Sequence, residues 1–366
     1  MNIVVLASAT RSSGALTIYK QFLSHLPNYV KDNKYYIFID PSMPQPEIEN
    51  VVYIHDSDHS YKHRMYMDKE GYMKDMKDRG VTPNVVFSLQ NTGCATNCKQ
   101  VIYYHQPLPF YPQKWNPFRK AERTMFLYKY IYPFFVKRTL KRDTEIIVQI
   151  PFSKKGFVKR FNYNPDMVHV AFPDVEKIDV SSVVPHDFDN SGCNFVYPAT
   201  APAYKGHLTI AKALEIIKYK DKAAFDNIRI HLTIGQHDNT EFSDYIKNHE
   251  LSHCFVFHGS IPHSQLLAFY KGARGLLFPS TIETLGLPLL EASAFGLPIV
   301  GSDLDYAHEV TNGYEGVVFV HPKQYEGWAD NILKLCYSNT TYPPLKFDIS
   351  EWPKVFNTIL NTKSLI

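Results

Sequence analysis

Apolar and polar positions along the chain follow two rhythms. Short apolar runs, "NIVVLA", "KYYIFID", "VVYIH", "NVVFSLQ", "QVIYYH" and "TEIIVQI", read as buried strands. Between them lie stretches with helical spacing, the first being "ALTIYKQFLSHL" after the loop "SATRSSG". From about residue 165 to 190 the rhythm stops in a Pro- and Asp-rich tract, "VHVAFPDVEKIDVSSVVPHDFDNSG", which reads as a linker. The rhythm then restarts. Strands "CNFVYPA", "IRIHLTIG", "RGLLFPS", "LPIVGS" and "EGVVFV" alternate with helices "GHLTIAKALEIIKY", "HSQLLAFYKGA" and "LPLLEASAFG". Such alternation predicts parallel sheets covered on both faces. The expected fold class is α/β, with two doubly wound, Rossmann-like domains over residues 1–175 and 190–345, facing each other across a cleft. Ligands of open α/β sheets sit at the carboxyl ends of the strands, so the cleft is the expected site.

Composition changes little in this picture. The chain has 366 residues, more than one hydrophobic core usually serves. Its net charge of +3 gives no global reason to expect a nucleic-acid partner, and none is expected. No apolar run reaches about 18 residues, so no transmembrane helix is expected. The start "MNIVVLASATRSS" lacks the basic opening and long apolar core of a signal peptide, so the expected location is cytoplasmic. The five cysteines, Cys94, Cys98, Cys193, Cys254 and Cys336, are scattered like reduced thiols rather than a disulfide framework. Cys94 and Cys98 have no second Cys/His pair at finger-like spacing, so a zinc site is not expected.

Candidate chemistry concentrates in "PSTIETLGLPLLEASAFGLPIV", Pro279–Val300. "RGLLFPS" is a strand, so "TIET" is the loop at its carboxyl end, and "LGLP" opens a helix. Pro288 suits the first helical position, where its missing N–H costs nothing. Backbone N–H groups around Leu285, Gly286 and Leu287 then point from a positive helix end, a site suited to phosphate. Gly286 allows close approach of a ligand. Glu291, about one turn into the helix, suits a ribose diol, and Glu283 before the helix suits a sugar hydroxyl. The pattern fits a nucleoside diphosphate sugar. Acidic residues in a first helical turn are also common as dipole partners, so the spacing alone is a weak signal.

The whole stretch resembles the signature of retaining glycosyltransferases of family 4, usually "PS..EG.GLP.LEA.A.G.P". Both "FHGSIPHSQLLAFYKGARGLLFPS" before it and "YAHEVTNGYEGVVFVHP" after it are similar to the family's flanks. The resemblance is strongest over about 190–325. It implies the GT-B fold, with donor bound mainly to the second domain. In "VYPATAPAYKGHLTIAKAL", Lys205 matches the family lysine that holds the donor pyrophosphate, while Thr200 stands where relatives commonly carry an Arg. With one cation missing, the diphosphate must rely more on Lys205 and the helix end. "HQPLPF" implies that His105 lies near the transferred sugar, either bonding a hydroxyl or supporting charge at the anomeric centre. Ser13 and Gly14 stand at the glycine loop of the first domain, where Gly14 either approaches phosphate or acceptor or serves plain turn chemistry. Asp303 and Asp305 form a D-x-D pattern read as a loop, since relatives work without a divalent ion. The C-terminal "SEWPKVFNTILNTK" resembles the family's last helices, which cross back onto the first domain, within 348–366.

The expected co-substrate is therefore a UDP- or GDP-linked sugar, with no metal or other cofactor. Lys205, Glu283 and His105 are the expected catalytic residues. The expected acceptor is a hydroxyl of a glycan or polyprenyl-linked oligosaccharide in bacterial surface polysaccharide synthesis. The alternatives are a sugar-nucleotide epimerase or a degenerate subunit that binds a partner enzyme. Residues 114–142 interleave nine Lys or Arg and the single acid Glu122 with aromatics. They read either as helices burying the aromatics or as a surface docking on anionic lipid at the cytoplasmic face of the inner membrane.

Overall fold

A computed structural model describes residues 1–11, 13–175, 177–188, 192–347 and 350–361, without the side chains of Ser13 and Ala121. Parts of the expected 348–366 helix, and the first two residues of the expected 190–345 domain, lie outside these residues. The chain divides into two compact units, Met1–Val175 with Ile349–Ile366, and Glu176–Asp348.

The first unit carries β1 (Asn2–Leu6), β2 (Lys34–Ile39), β3 (Val51–His55), β4 (Val85–Ser88), β5 (Lys99–Tyr103), β6 (Glu145–Val148) and β7 (Val168–Val170). They form one sheet in the order β3-β2-β1-β4-β5-β6-β7, with every pair parallel. Strand periodicity feeds two cores. Ile3 and Val5 face a core shared with Tyr19 and Phe22 of helix Ser13–His25, while Val4 and Leu6 face Met67, Tyr72 and Met76 on the other side.

β7 corrects the sequence reading, because the tract taken as linker begins with a strand. Its three residues pair with β6 from Ile146↔Val168 to Val148↔Val170. So short an edge strand, followed at once by "FPD", leaves no periodicity to detect. Gly14 also differs from expectation. It lies in the first turn of helix Ser13–His25, not in the preceding loop.

The C-terminal helix Trp352–Leu360 belongs to the first unit's core. Trp352, Val355, Phe356 and Ile359 are buried. The Trp352 ring lies 6.1 Å from Phe22 and 5.9 Å from Tyr103, and Phe356 stacks on Tyr29 at 4.0 Å. Trp352 Nε1 donates to Gln21 Oε1 at 3.1 Å. Lys99 Nζ caps the helix end by donating to the carbonyls of Thr358 and Asn361 at 2.5 and 2.6 Å.

The second unit carries β8 (Cys193–Tyr197), β9 (Ile228–Leu232), β10 (Phe255–Phe257), β11 (Gly275–Phe278), β12 (Ile299–Ser302) and β13 (Val317–Val320). Their order is β10-β9-β8-β11-β12-β13, again parallel throughout. β10 escapes the sequence reading for the same reason as β7. In each sheet the winding reverses at one point, between β1 and β4 and between β8 and β11. The loops leaving those strands are where open α/β sheets bind ligands.

Candidate functional site

In the second unit the loops after β8 and β11 are stitched together. The β8 loop passes the exposed Thr200 to a tight turn, Ala203–Lys205, and then Gly206 at φ 76°. Thr281 N–H and Oγ1–H both donate to the Tyr204 carbonyl, at 2.8 and 2.9 Å. A Cβ on Gly206 would lie 2.5 Å from the Pro279 carbonyl oxygen, so glycine is required by φ and by space together. The Tyr197 hydroxyl donates to the Lys205 carbonyl. Tyr306 does the same for Ser280, at 2.7 Å.

This frame brings Lys205 Nζ to 2.6 Å from Glu283 Oε1, with the side chains only 16 % and 13 % exposed. Burial, reinforced by the Glu283 charge, pushes the Tyr197 and Tyr204 hydroxyls above the ordinary tyrosine range, so both stay protonated. Just beyond, Gly286 takes φ 73° and caps helix Leu287–Ala294. Leu285 is buried and Leu287 is 39 % exposed. Among the described residues no acceptor meets the N–H groups of Leu285, Gly286 or Leu287. The helix start therefore offers unmet donors at a positive dipole end.

Glu291 is held rather than loose. Its Oε1 contacts His263 Nε2 at 2.9 Å, and its Oε2 accepts from the Tyr270 hydroxyl at 3.0 Å. Both partners lie on helix His263–Gly272. That helix is strapped by the chain before β8. Lys271 Nζ donates to the carbonyls of Val180 and Val183 at 2.8 and 2.6 Å, and His186 N–H to Ala268 at 2.9 Å. Tyr270 and His263 were not singled out in the sequence, where nothing local links them to a residue more than twenty positions later. The D-x-D tract is also less loop-like than expected. Asp303 pairs with His308 at 2.7 Å, and Asp305 begins a short helix, Asp305–Val310.

In the first unit His105 follows β5. Asn91, at φ 64° in the loop after β4, accepts the His105 backbone N–H on Oδ1 at 2.6 Å. Its Nδ2 lies 3.3 Å from His105 Nε2. Burial pushes the imidazole down to about 4, so it is neutral near pH 7 and exchanges hydrogen bonds without carrying charge. Around it lies a network absent from the sequence reading. Arg64 pairs with Asp68 at 2.9 Å and donates to Thr92. Gln90 Nε2 donates to the Tyr72 hydroxyl at 3.1 Å, and its carbonyl accepts from Tyr132 at 3.1 Å. Burial raises the Asp68 carboxyl even against the pull of Arg64. The four-residue Arg64–Asp68 spacing in a helical tract was the available signal. Gly14 is exposed with open space where a Cβ would stand, and the Ser13 side chain lies outside the described residues.

Residues 114–142 divide their apolar side chains between interior and surface. Trp115, Met125 and Val136 are buried, whereas Phe118 and Phe134 are 88 % and 65 % exposed, with Leu127 and Ile131 also outward. Among the described residues, no helix is long and apolar enough to cross a membrane.

Residues 186–343 match the family model for glycosyl transferases group 1. Over 238 residues the chain is 25 % identical to the O-antigen chain mannosyltransferase RfbU of Salmonella typhimurium, covering 64 % of this chain and 60 % of that protein. The chain thus spans somewhat less than two thirds of that relative. In structure it is similar to WaaG, a glycosyltransferase involved in lipopolysaccharide biosynthesis, with a TM-score of 0.66, 15 % identity, and 99 % and 100 % of the two chains covered. It is also similar to Anabaena HepE in complex with UDP and glucose, with a TM-score of 0.60, 13 % identity, and 92 % and 90 % covered. Two parallel, doubly wound sheets with these likenesses are the GT-B fold, and it is residues 186–343 of this fold that are similar to the glycosyl transferases group 1 family.

Proposed function

We propose that the protein is a retaining glycosyltransferase that moves a hexose from a UDP- or GDP-linked donor to a hydroxyl of a glycan or lipid-linked acceptor in surface polysaccharide synthesis. One observation carries the reading. The Lys205–Glu283 pair stands beside the unmet N–H groups of Leu285, Gly286 and Leu287 at the switch point of the second sheet. An ammonium has three protons, so Lys205 can keep Glu283 and still donate to a diphosphate. The helix start receives the same diphosphate, Glu283 takes sugar hydroxyls, and Glu291, held by Tyr270 and His263, takes the ribose diol. The acceptor hydroxyl attacks the anomeric carbon on the face from which the diphosphate departs. The old C–O bond breaks as the glycosidic C–O bond forms, and the hydroxyl proton passes to the leaving diphosphate. Lys205 and the amides stabilise the charge that develops there. The described relatives act in O-antigen or lipopolysaccharide synthesis by name, and a structural neighbour holds UDP with glucose.

The test is turnover of UDP- and GDP-sugars, chosen by a thermal-shift screen, in Lys205→Ala and Glu283→Ala variants. Each is expected to lose about 10²–10³-fold. Wild-type-like rates in both would overturn the assignment.

The exposed Phe118 and Phe134 beside Lys120, Lys137 and Arg138 support a second element, docking on an anionic bilayer. Binding to phosphatidylglycerol vesicles but not to phosphatidylcholine vesicles is expected, weakened by Phe118→Ala with Phe134→Ala. Equal binding to both vesicle types would remove it.

A further inference from the structure

Two half-buried cysteines meet at the amino end of the second sheet, away from the groups used above. Cys193 is the first residue of β8, and Cys336 is the last of helix Tyr325–Cys336. The Cys193 thiol donates to the Cys336 carbonyl at 3.5 Å. Arg274 clamps the segments that carry the two cysteines. Its backbone N–H donates to the Asn194 carbonyl at 2.7 Å, and its Nη1 to the Ser338 carbonyl at 3.0 Å. The backbone segments that carry the two thiols are thus held together.

A cavity of about 370 Å³, lined by Gly192, Asn194, Arg274 and Asn339 among others, adjoins both segments, and both cysteines are themselves partly exposed. The partners are unequal. The Cys336 side chain, and then the nearby Arg274 charge, lower the Cys193 thiol, whereas the Cys193 side chain and then burial push the Cys336 thiol up. Cys193 is thus the thiolate-forming member, and Cys336 waits as a thiol. The other cysteines lack this arrangement. Burial raises the Cys94 and Cys254 thiols, and Cys98 sits against the Thr96 hydroxyl at 3.0 Å.

We propose that Cys193 and Cys336 form a reversible disulfide driven by hydrogen peroxide. The Cys193 thiolate attacks one peroxide oxygen and the O–O bond breaks. This gives a sulfenic acid, and the hydroxide released takes a proton to become water. The Cys336 sulfur then attacks the sulfenic sulfur. The S–S bond forms, its thiol proton and the departing hydroxyl leave as a second water, and two electrons have passed from sulfur to peroxide. A low-molecular-weight thiol such as glutathione reverses the bond by exchange. The cross-link closes a separation of 143 residues and ties the sheet to a helix packed on His207–Lys220, so the oxidised form resists unfolding.

The experiment uses the full, reduced chain treated with peroxide, followed by non-reducing peptide mapping. The Cys193 peptide is expected linked to the Cys336 peptide, and glutathione is expected to release it. In Cys336→Ser, Cys193 is expected to accumulate as a sulfenic acid that dimedone captures. In the untreated wild type, iodoacetamide at pH 7 is expected to label Cys193 at least several-fold faster than Cys98. Two free thiols after peroxide, or a bond from Cys193 to Cys98 instead, would overturn the proposal. No readout uses sugar transfer, so the outcome is independent of the proposed activity.

Discussion

The ligand ends of the two sheets are built on opposite plans. In the second unit the working groups are largely main chain: two glycines at positive φ, a helix start with open N–H groups, and one ion pair. In the first unit the corresponding end is a side-chain network in which Asn91 holds His105, and Arg64, Asp68, Thr92, Tyr72, Gln90 and Tyr132 engage one another. The main-chain part of such a site tolerates side-chain substitution except at its glycines. A network site depends on every member, because each lost partner strands a buried polar group.

The largest test concerns what holds the network plan in place. Trp352→Ala removes a fully packed ring from the first unit's core and is expected to cost about 3–5 kcal/mol in denaturant unfolding. Truncation before Ser350 should be worse, and an unchanged transition would show that the C-terminal helix is dispensable to that core.

Next comes acid. Burial lowers both His105 in the first unit and His207 in the second to about 4, from an ordinary value near 6.5. As pH falls below about 6.5 the unfolded chain takes up these protons first. Stability present above that value is therefore lost between about 6.5 and 4, by about 3 kcal/mol for each histidine. His207 lies between Tyr197 and Phe242, with ring centroids 5.0 and 5.5 Å away. His207→Phe should flatten the acid slope in the second unit while leaving the first unit's share. A slope unaltered by His207→Phe would assign the loss to other groups.

Smaller again is Gly206→Ala, expected to cost about 2–3 kcal/mol through positive φ and the Pro279 carbonyl, with donor binding lost alongside. A silent Gly206→Ala variant would break the idea of a backbone-built site. Smallest is Tyr270→Phe, which deletes one hydrogen bond to Glu291. A rise in donor KM of about 3–10-fold with little change in kcat is expected, corresponding to about 1 kcal/mol. A fall in kcat with unchanged KM would move Glu291 from ribose binding to the chemical step.

These contrasts also explain what could be read in advance. The parallel α/β plan and the loop-to-helix start around Gly286 follow from local rules: apolar period, glycine at positive φ, and proline in a first helical turn. All of that information lies within a few neighbouring residues. β7 and β10 escaped because three residues carry no periodicity. Gly14 was misplaced because helix boundaries shift by a residue or two at frayed ends.

What the amino-acid order determines by itself is the alternation of strands and helices and the amide-lined turn after β11, since backbone preferences act over short range. Only the tertiary structure decides that Lys205 meets Glu283 across 78 positions, that Tyr270 reaches Glu291, that Asn91 holds His105, and that Trp352 closes the core of a unit begun at the other end of the chain. Those pairings arise when separately formed elements bury their apolar faces together, and side chains far apart in the chain become neighbours because packing puts them there.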